Sequence, residues 1–150
     1  GILTLTDGEV VDHAQIKEEL LHWISGENLK ELGFDPWSAV QFSLALAEEG
    51  IPLVEVAQTV RNLSEAMKTL EALVYSGKFH HNAHPVMNWM MSNVTVKPDK
   101  NDNIFPNKST PEAKIDGPVA LFTGLSRLLV NGGDVPDFLS NLDPDDFLML

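Results

Sequence analysis

Short β-prone runs alternate with helix-length stretches along this chain, and the residues punctuating them restrict its possible folds most. Residues 2–6 read as a strand, stopped by the turn pair Asp7-Gly8. Asp12 stands three residues before Gln15, a capping-box spacing, and opens a helix with Ile16, Leu20 and Trp23 or Ile24 as its inner stripe. Gly26 ends it. A strand over 29–34 hands over to a helix at Asp35-Pro36, with Pro at the favoured first position, and Gly50 closes that helix. A strand over 53–57 follows, then a helix from Ser64 with Met67, Leu70, Leu73 and Val74 on one face, stopped by Gly77. Asn62, Ser64 and Glu65 read as its cap and first turn. Pro85 opens a shorter helix to about Asn93, 94–96 reads as a strand, and 97–113 reads as a polar loop or irregular hairpin. The last helix runs over 115–130 with Ile115, Val119, Phe122, Leu125 and Leu129 on one stripe, broken at Gly132-Gly133. Such alternation predicts an α/β fold, a mostly parallel sheet flanked by helices.

A chain of 150 residues suffices for one hydrophobic core. No apolar run approaches a membrane span, and the N-terminus lacks the basic-then-apolar order of a signal peptide. With no cysteine, disulfides and thiolate metal sites are excluded, and a cytosolic compartment fits. The net charge of −12 argues against nucleic-acid binding, which Lys and Arg drive. Its distribution weakens that objection: the balance is −9 over residues 1–75, +2 over 76–130 and −5 over 131–150. The non-acidic segment holds a His- and Trp-bearing helix, a lysine-rich loop and an isolated acid, Asp116.

Two acids stand at element boundaries. Asp35 sits where a strand meets a helix, the edge at which α/β proteins place ligands. Asp116 falls on the first turn of the last helix. Hard oxygen ligands suit Mg²⁺ or Mn²⁺, and two ions about 4 Å apart would activate water and stabilise a leaving phosphodiester oxygen. On that reading the two carboxylates lie within about 8 Å of each other. The plainer alternative is an N-cap for Asp35 and a dipole partner for Asp116.

Four groups of residues carry a family resemblance, in order: Gly33-Phe34-Asp35-Pro36-Trp37, then His81…Pro85…Trp89…Asn93, then Asn103…Pro106…Lys108, then Lys114-Ile115-Asp116-Gly117…Ala120. Over residues 1–130 the chain resembles the C-terminal nuclease domain of the large terminases of tailed phages. The resemblance implies an RNase H-like layered fold with a mixed, mostly parallel sheet. It implies a Mg²⁺- or Mn²⁺-dependent endonuclease that cuts concatemeric double-stranded phage DNA during packaging in the host bacterial cytoplasm. Asp35 would be the acid on the central strand and Asp116 the acid on the final helix, both metal-binding and catalytic. Portal and small terminase subunit would be partners of the parent protein. A further essential Asp on the first strand has no counterpart here, since Asp7 lies in a turn and Asp12 reads as a cap. No phosphate-binding loop of an ATPase motor occurs. The expectation is a partial nuclease domain over 1–130 without its first strands, with an incomplete metal site, followed by a mobile acidic tail over 131–150.

Lys97, Lys108 and Lys114, with His81, are candidates for DNA contact, the lysines through phosphates and without sequence preference; Lys100 belongs with them. The alternative is solvated loop lysines. His80, His81 and His84 have a spacing that zinc could use, but no local acid or Cys completes a set; His81 and Asn82 read better as turn and cap residues before Pro85. Trp37, Trp89 and Phe122 fall on apolar stripes and read as core rather than as base-stacking surfaces. The tail motif Asp143-Pro144-Asp145-Asp146-Phe147 reads as disordered, or as a dock for a packaging partner. Two other functions compete with the nuclease. One is a non-catalytic module docking on a portal or another packaging partner, with both acids as caps. The other is a transposase- or resolvase-like enzyme using the same acids. Unpaired strand edges would favour an oligomer.

Overall fold

The computed structural model describes residues 11–132, which form two units, one within Gly1–Ala57 and one within Gln58–Leu150. The strand expected over 2–6, the Asp7-Gly8 turn, Gly133 and the acidic tail beyond it lie outside the described residues.

In the first unit, helix α1 (His13–Ile24) starts where Asp12 Oδ1 accepts the Ala14 and Gln15 amides at 2.9 and 3.1 Å. The Gln15 side-chain Nε2 donates to Glu19 Oε1, one turn further along the helix, at 3.1 Å. Strand β1 (Leu32–Phe34), helix α2 (Pro36–Ala47) and strand β2 (Leu53–Glu55) make a β-α-β crossover. The strands run parallel, Leu32 opposite Leu53 and Phe34 opposite Glu55, and the Val56 amide bonds Phe34 at 2.8 Å. Leu46 and Val56 are the buried apolar residues among those described in this unit. The inner stripe expected on α1 is not buried: Ile16 is exposed and Trp23 is 77% exposed. Lys17 bonds Glu49 at 2.8 Å, and this hydrogen-bonded carboxylate raises the Lys17 pKa above its ordinary value.

The second unit has the larger core. Helix α3 (Val60–Tyr75) begins at Thr59, whose hydroxyl accepts the Asn62 amide at 3.3 Å. It therefore starts one turn before the expected Ser64 start. Ser64 is an interior residue whose buried hydroxyl accepts the Ile104 amide at 3.0 Å. The N-cap rule admits either residue, and burial decides: Ser64 faces the core and Thr59 stands at its edge. Helix α4 (Pro85–Ser92) leads into strand β3 (Val94–Val96), which pairs antiparallel with β4 (Pro106–Lys108), and α5 (Asp116–Val130) closes the unit. The core joins Leu63, Met67 and Leu70 of α3 to Phe122 of α5. Each such side chain contributes about 1.5–3 kcal/mol relative to exposure.

Between β3 and β4 the polar stretch is an ordered hairpin loop rather than a free one. Asp99 Oδ1 accepts the Asn101 and Asn103 amides at 2.7 and 3.0 Å, and Oδ2 accepts the Asn103 side-chain amide at 3.1 Å. These donors hold the Asp99 carboxyl below the usual carboxylate range, the Asn103 side chain foremost. Alternating helices and strands keep the chain in the α/β class. Among the described residues its strands form one parallel and one antiparallel pair. No described helix is long and apolar enough to cross a membrane.

Candidate active site

Asp116 is the first residue of α5, and the way that helix starts leaves its carboxylate unused. A helix N-terminus leaves backbone N–H groups without intrahelical acceptors, and a side-chain cap normally takes one or more. Here the N-cap is Ile115, which supplies no side-chain bond. Two neighbours reduce the need. Pro118, fully buried, has no N–H to satisfy. The Gly117 amide donates to the Met90 thioether at 3.4 Å. Ordinary helical bonding resumes with the Val119 amide on the Ile115 carbonyl at 3.0 Å. Asp116 itself is exposed, and no hydrogen bond or ion pair to its carboxylate is made among the described residues.

Its backbone, by contrast, is tightly mounted. Ala113 and Ile115, flanking exposed Lys114, are both 8% exposed. Asn93, the C-cap of α4, donates its side-chain amide to the Lys114 carbonyl at 3.0 Å. Gly117 lies so close to α4 that a Cβ there would stand 2.8 Å from the Met87 sulfur and 3.2 Å from that of Met90. A larger residue there would oblige the Met87 side chain to shift.

Asp35 in the first unit is built differently. It is the N-cap of α2, its Oδ1 accepting the Trp37 amide at 3.2 Å, with Pro36 at the first helical position. The structural role weighed for it is thus occupied, and one of its oxygens is committed. It follows directly on β1, at the carboxyl end of that strand, as the sequence predicts.

The DNA-contact candidates fall on the hairpin and its approaches in the second unit. Lys97 follows β3, Lys108 ends β4, opposite Val94, and both are exposed, as are Lys100 and Lys114. His81 is exposed and stacks on Phe79 with ring centroids 5.8 Å apart. Its Nδ1 accepts the Ala83 amide at 3.1 Å, while Asn82 accepts the His84 amide at 3.2 Å, the turn role expected of both. Within either unit no three His, Asp or Glu among the described residues gather as a metal-holding group, the three clustered histidines included. Two core assignments are corrected. Trp37 is 90% exposed and Trp89 51% exposed, whereas Phe122 is buried as expected. An apolar stripe on a helix marks a face that can be covered, not one that is.

An open apolar groove of about 690 Å³ runs along the second unit, with Met67, Leu70, Phe79, Met91 and Phe122 in its lining and His81 at its polar part. Met87 also lines it, so the residue that packs against Gly117 belongs to both regions. Sequence reasoning named Asn93 as part of a motif but gave it no task, and it missed the two methionines. The available signals were an Asn at a helix end and the invitation a bare Gly117-Pro118 offers to a close neighbour.

The fold is that of an α/β domain with an exposed acid on its last helix, and comparison with known proteins specifies the kind. Residues 1–131 match the family model described as terminase large subunit, endonuclease domain. Protein YmfN of Escherichia coli (strain K12) is 39% identical over 132 residues, covering 87% of this chain and 29% of that protein. The large terminase subunit of Enterobacteria phage HK97 is 31% identical over 145 residues, covering 93% of this chain and 29% of that protein. The crystal structure of the HK97 bacteriophage large terminase superimposes with a TM-score of 0.74 at 30% identity, covering 84% of this chain and 27% of the other. This chain belongs to the terminase large subunit endonuclease domain family, with the RNase H-like α/β fold of such nucleases. It spans less than a third of the length of these relatives.

Proposed function

We propose that this chain is the metal-dependent endonuclease module of a phage large terminase, hydrolysing phosphodiester bonds of concatemeric double-stranded DNA during genome packaging. The observation that carries the proposal is Asp116: an exposed carboxylate on a rigid mount, at a helix start arranged so that the acid is not consumed as a cap. Asp35, by contrast, spends one of its oxygens on its own helix start.

The donor set fits Mg²⁺ or Mn²⁺ in kind, since Asp35 and Asp116 offer hard carboxylate oxygens and the chain has no cysteine thiolate to offer. Asp35 Oδ1 is shared with the Trp37 amide, which leaves Oδ2 for a cation. Such ions, when bound, would supply an activated water and charge stabilisation at the leaving oxygen. The chain's own part is to hold the two carboxylates still and to place phosphates. Lys97, Lys108 and Lys114 offer exposed ammonium groups to the DNA backbone, with His81 beside the apolar groove as a further contact. Portal and small terminase subunit are the partners this reading assigns to the parent protein, and the bacterial cytoplasm its place of work.

One observation favours a second reading, a non-catalytic docking module. Asp35 is an N-cap, and Trp37, Val40 and Leu44 form an exposed apolar stripe on α2, at 90%, 57% and 60% exposure. That reading leaves Asp116 only the role of an acid that complements the dipole of α5.

The deciding experiment is nicking of supercoiled plasmid with Mn²⁺ by this chain and by a version extended at its N-terminus. Asp116→Asn is expected to lower the nicking rate at least about 100-fold in whichever form cuts, more than the loss typical of an outer-shell residue. Unchanged cutting by Asp116→Asn would remove the nuclease role from this acid, and no cutting by either form would favour the docking module.

A further inference from the structure

Asp116 is held by its neighbours in sequence, and both holds come from α4. Two residues before it, the Lys114 carbonyl accepts the Asn93 side-chain amide at 3.0 Å. One residue after it, the Gly117 amide meets the Met90 sulfur. The first bond spans 21 residues of sequence and is the stronger of the two, since a thioether is a weak acceptor.

Asn93 is itself fixed from two sides. Its amide donates to the Met90 carbonyl at 3.1 Å, closing α4, and its carbonyl accepts the Ser109 amide at 2.8 Å just beyond β4. Its side chain is therefore the point where the end of α4, the β3–β4 hairpin and the approach to α5 are tied together. An alanine at this position would keep both backbone bonds, because Asn93 has ordinary helical dihedrals (φ −86, ψ −10). The side-chain amide has a separate task. It bonds the Lys114 carbonyl and so ties down the Lys114–Ile115 peptide that leads into Asp116.

We propose that Asn93 is a positioning residue for Asp116, acting through the Lys114 carbonyl to hold that carboxylate in its metal-binding direction. The proposal rests on the assignment of Asp116 as a metal ligand, and it goes further in naming what orients that ligand. Side chains that orient a ligand from behind typically alter metal affinity 10–100-fold when removed.

The test uses the 150-residue chain and its Asn93→Ala and Asn93→Gln variants, with Mn²⁺ added while the amide signals of Asp116 and Gly117 are followed by NMR. Paramagnetic broadening reports where the ion sits, and the Asp99 loop serves as a control acid in the same unit. In the wild type, Asp116 and Gly117 are expected to broaden. In Asn93→Ala the Mn²⁺ concentration required should rise about 10–100-fold, with broadening at Asp99 unchanged. Asn93→Gln, which retains the amide donor on a longer arm, should recover part of the loss. Should Asn93→Ala fail to fold, the Gln variant alone carries the comparison, with an intermediate shift expected. Equal broadening at Asp116 in all three proteins would overturn the positioning role while leaving Asp116 as a ligand. Absence of broadening at Asp116 in the wild type, with Asp99 responding, would overturn the ligand assignment and the positioning role with it. In a nicking-competent extended form, Asn93→Ala should raise the half-saturating Mn²⁺ concentration and leave the KM for DNA unchanged.

Discussion

Two helices in this chain begin at an aspartate beside an apolar residue and a proline, and they begin in opposite ways. At α2 the acid is the cap: Asp35 bonds the Trp37 amide, Pro36 is at the first position, and the helix then presents Trp37, Val40 and Leu44 to solvent. At α5 the acid lies inside the first turn. The cap position belongs to a buried isoleucine, the proline is buried, and the following turns sink Phe122 into the core. Rigidity and availability are therefore divided differently. Asp35 secures its own helix with its carboxylate, whereas Asp116 is secured by everything except its carboxylate. A ligand that must meet a cation without prior reorganisation is better served by the second design.

The largest effect should come from removing what mounts α5. Phe122→Ala deletes a buried aromatic from a four-residue core cluster and is expected to cost about 3–5 kcal/mol. Trp37→Ala, on the exposed face of α2, should stay within about 0.5 kcal/mol. Urea unfolding followed by NMR amide intensities in each unit checks both. A cost at Trp37 approaching that at Phe122 would mean that the α2 stripe is covered in solution, and the contrast between the helices would fail.

A smaller effect separates cap from charge. Asp35→Ala should destabilise the first unit by about 1 kcal/mol, while Asp35→Asn, an equally good cap, should recover most of it. At position 116 no cap exists to lose, so Ala and Asn should differ by no more than a few tenths of a kcal/mol, and each should forfeit only a dipole contribution of about 0.3–1 kcal/mol. A gap between Ala and Asn at 116 as wide as that at 35 would show that Asp116 caps α5 after all.

Local chemistry was legible wherever a residue type has one dominant use. Asp12 and Asp35 as caps, Gly26, Gly50 and Gly77 as positive-φ stops, and Pro85 as a helix start all follow from backbone sterics and orphan amides. What depends on a third dimension was not legible. The start of α3 went to Ser64 rather than Thr59 because both can cap, and only packing shows that Ser64 serves Ile104. Trp23, Trp37 and Trp89 were assigned to the core from periodicity, which records a face without showing whether anything lies against it. The acid at the site was visible from its motif. Its mount was not, because Asn93, Met87 and Met90 reach its neighbours Lys114 and Gly117 across more than 20 residues of sequence.

The smallest effect concerns a third acid. Asp99 is a fully engaged carboxylate, bonded to the Asn101 and Asn103 amides and to the Asn103 side chain, and its pKa is lowered below the ordinary value. Because the folded pKa is depressed, its contribution to stability is complete above the unfolded value, near 3.9, and disappears as pH falls through the folded pKa. The group is fully exposed, so the readout is the titration itself: the Asp99 carboxyl carbon should reach its midpoint below the ordinary Asp value. Asn103→Ala removes the first cause of the shift but leaves both backbone donors, so the midpoint should move only part of the way back. An unchanged midpoint would mean that the Asn103 side chain does not engage Asp99 in solution.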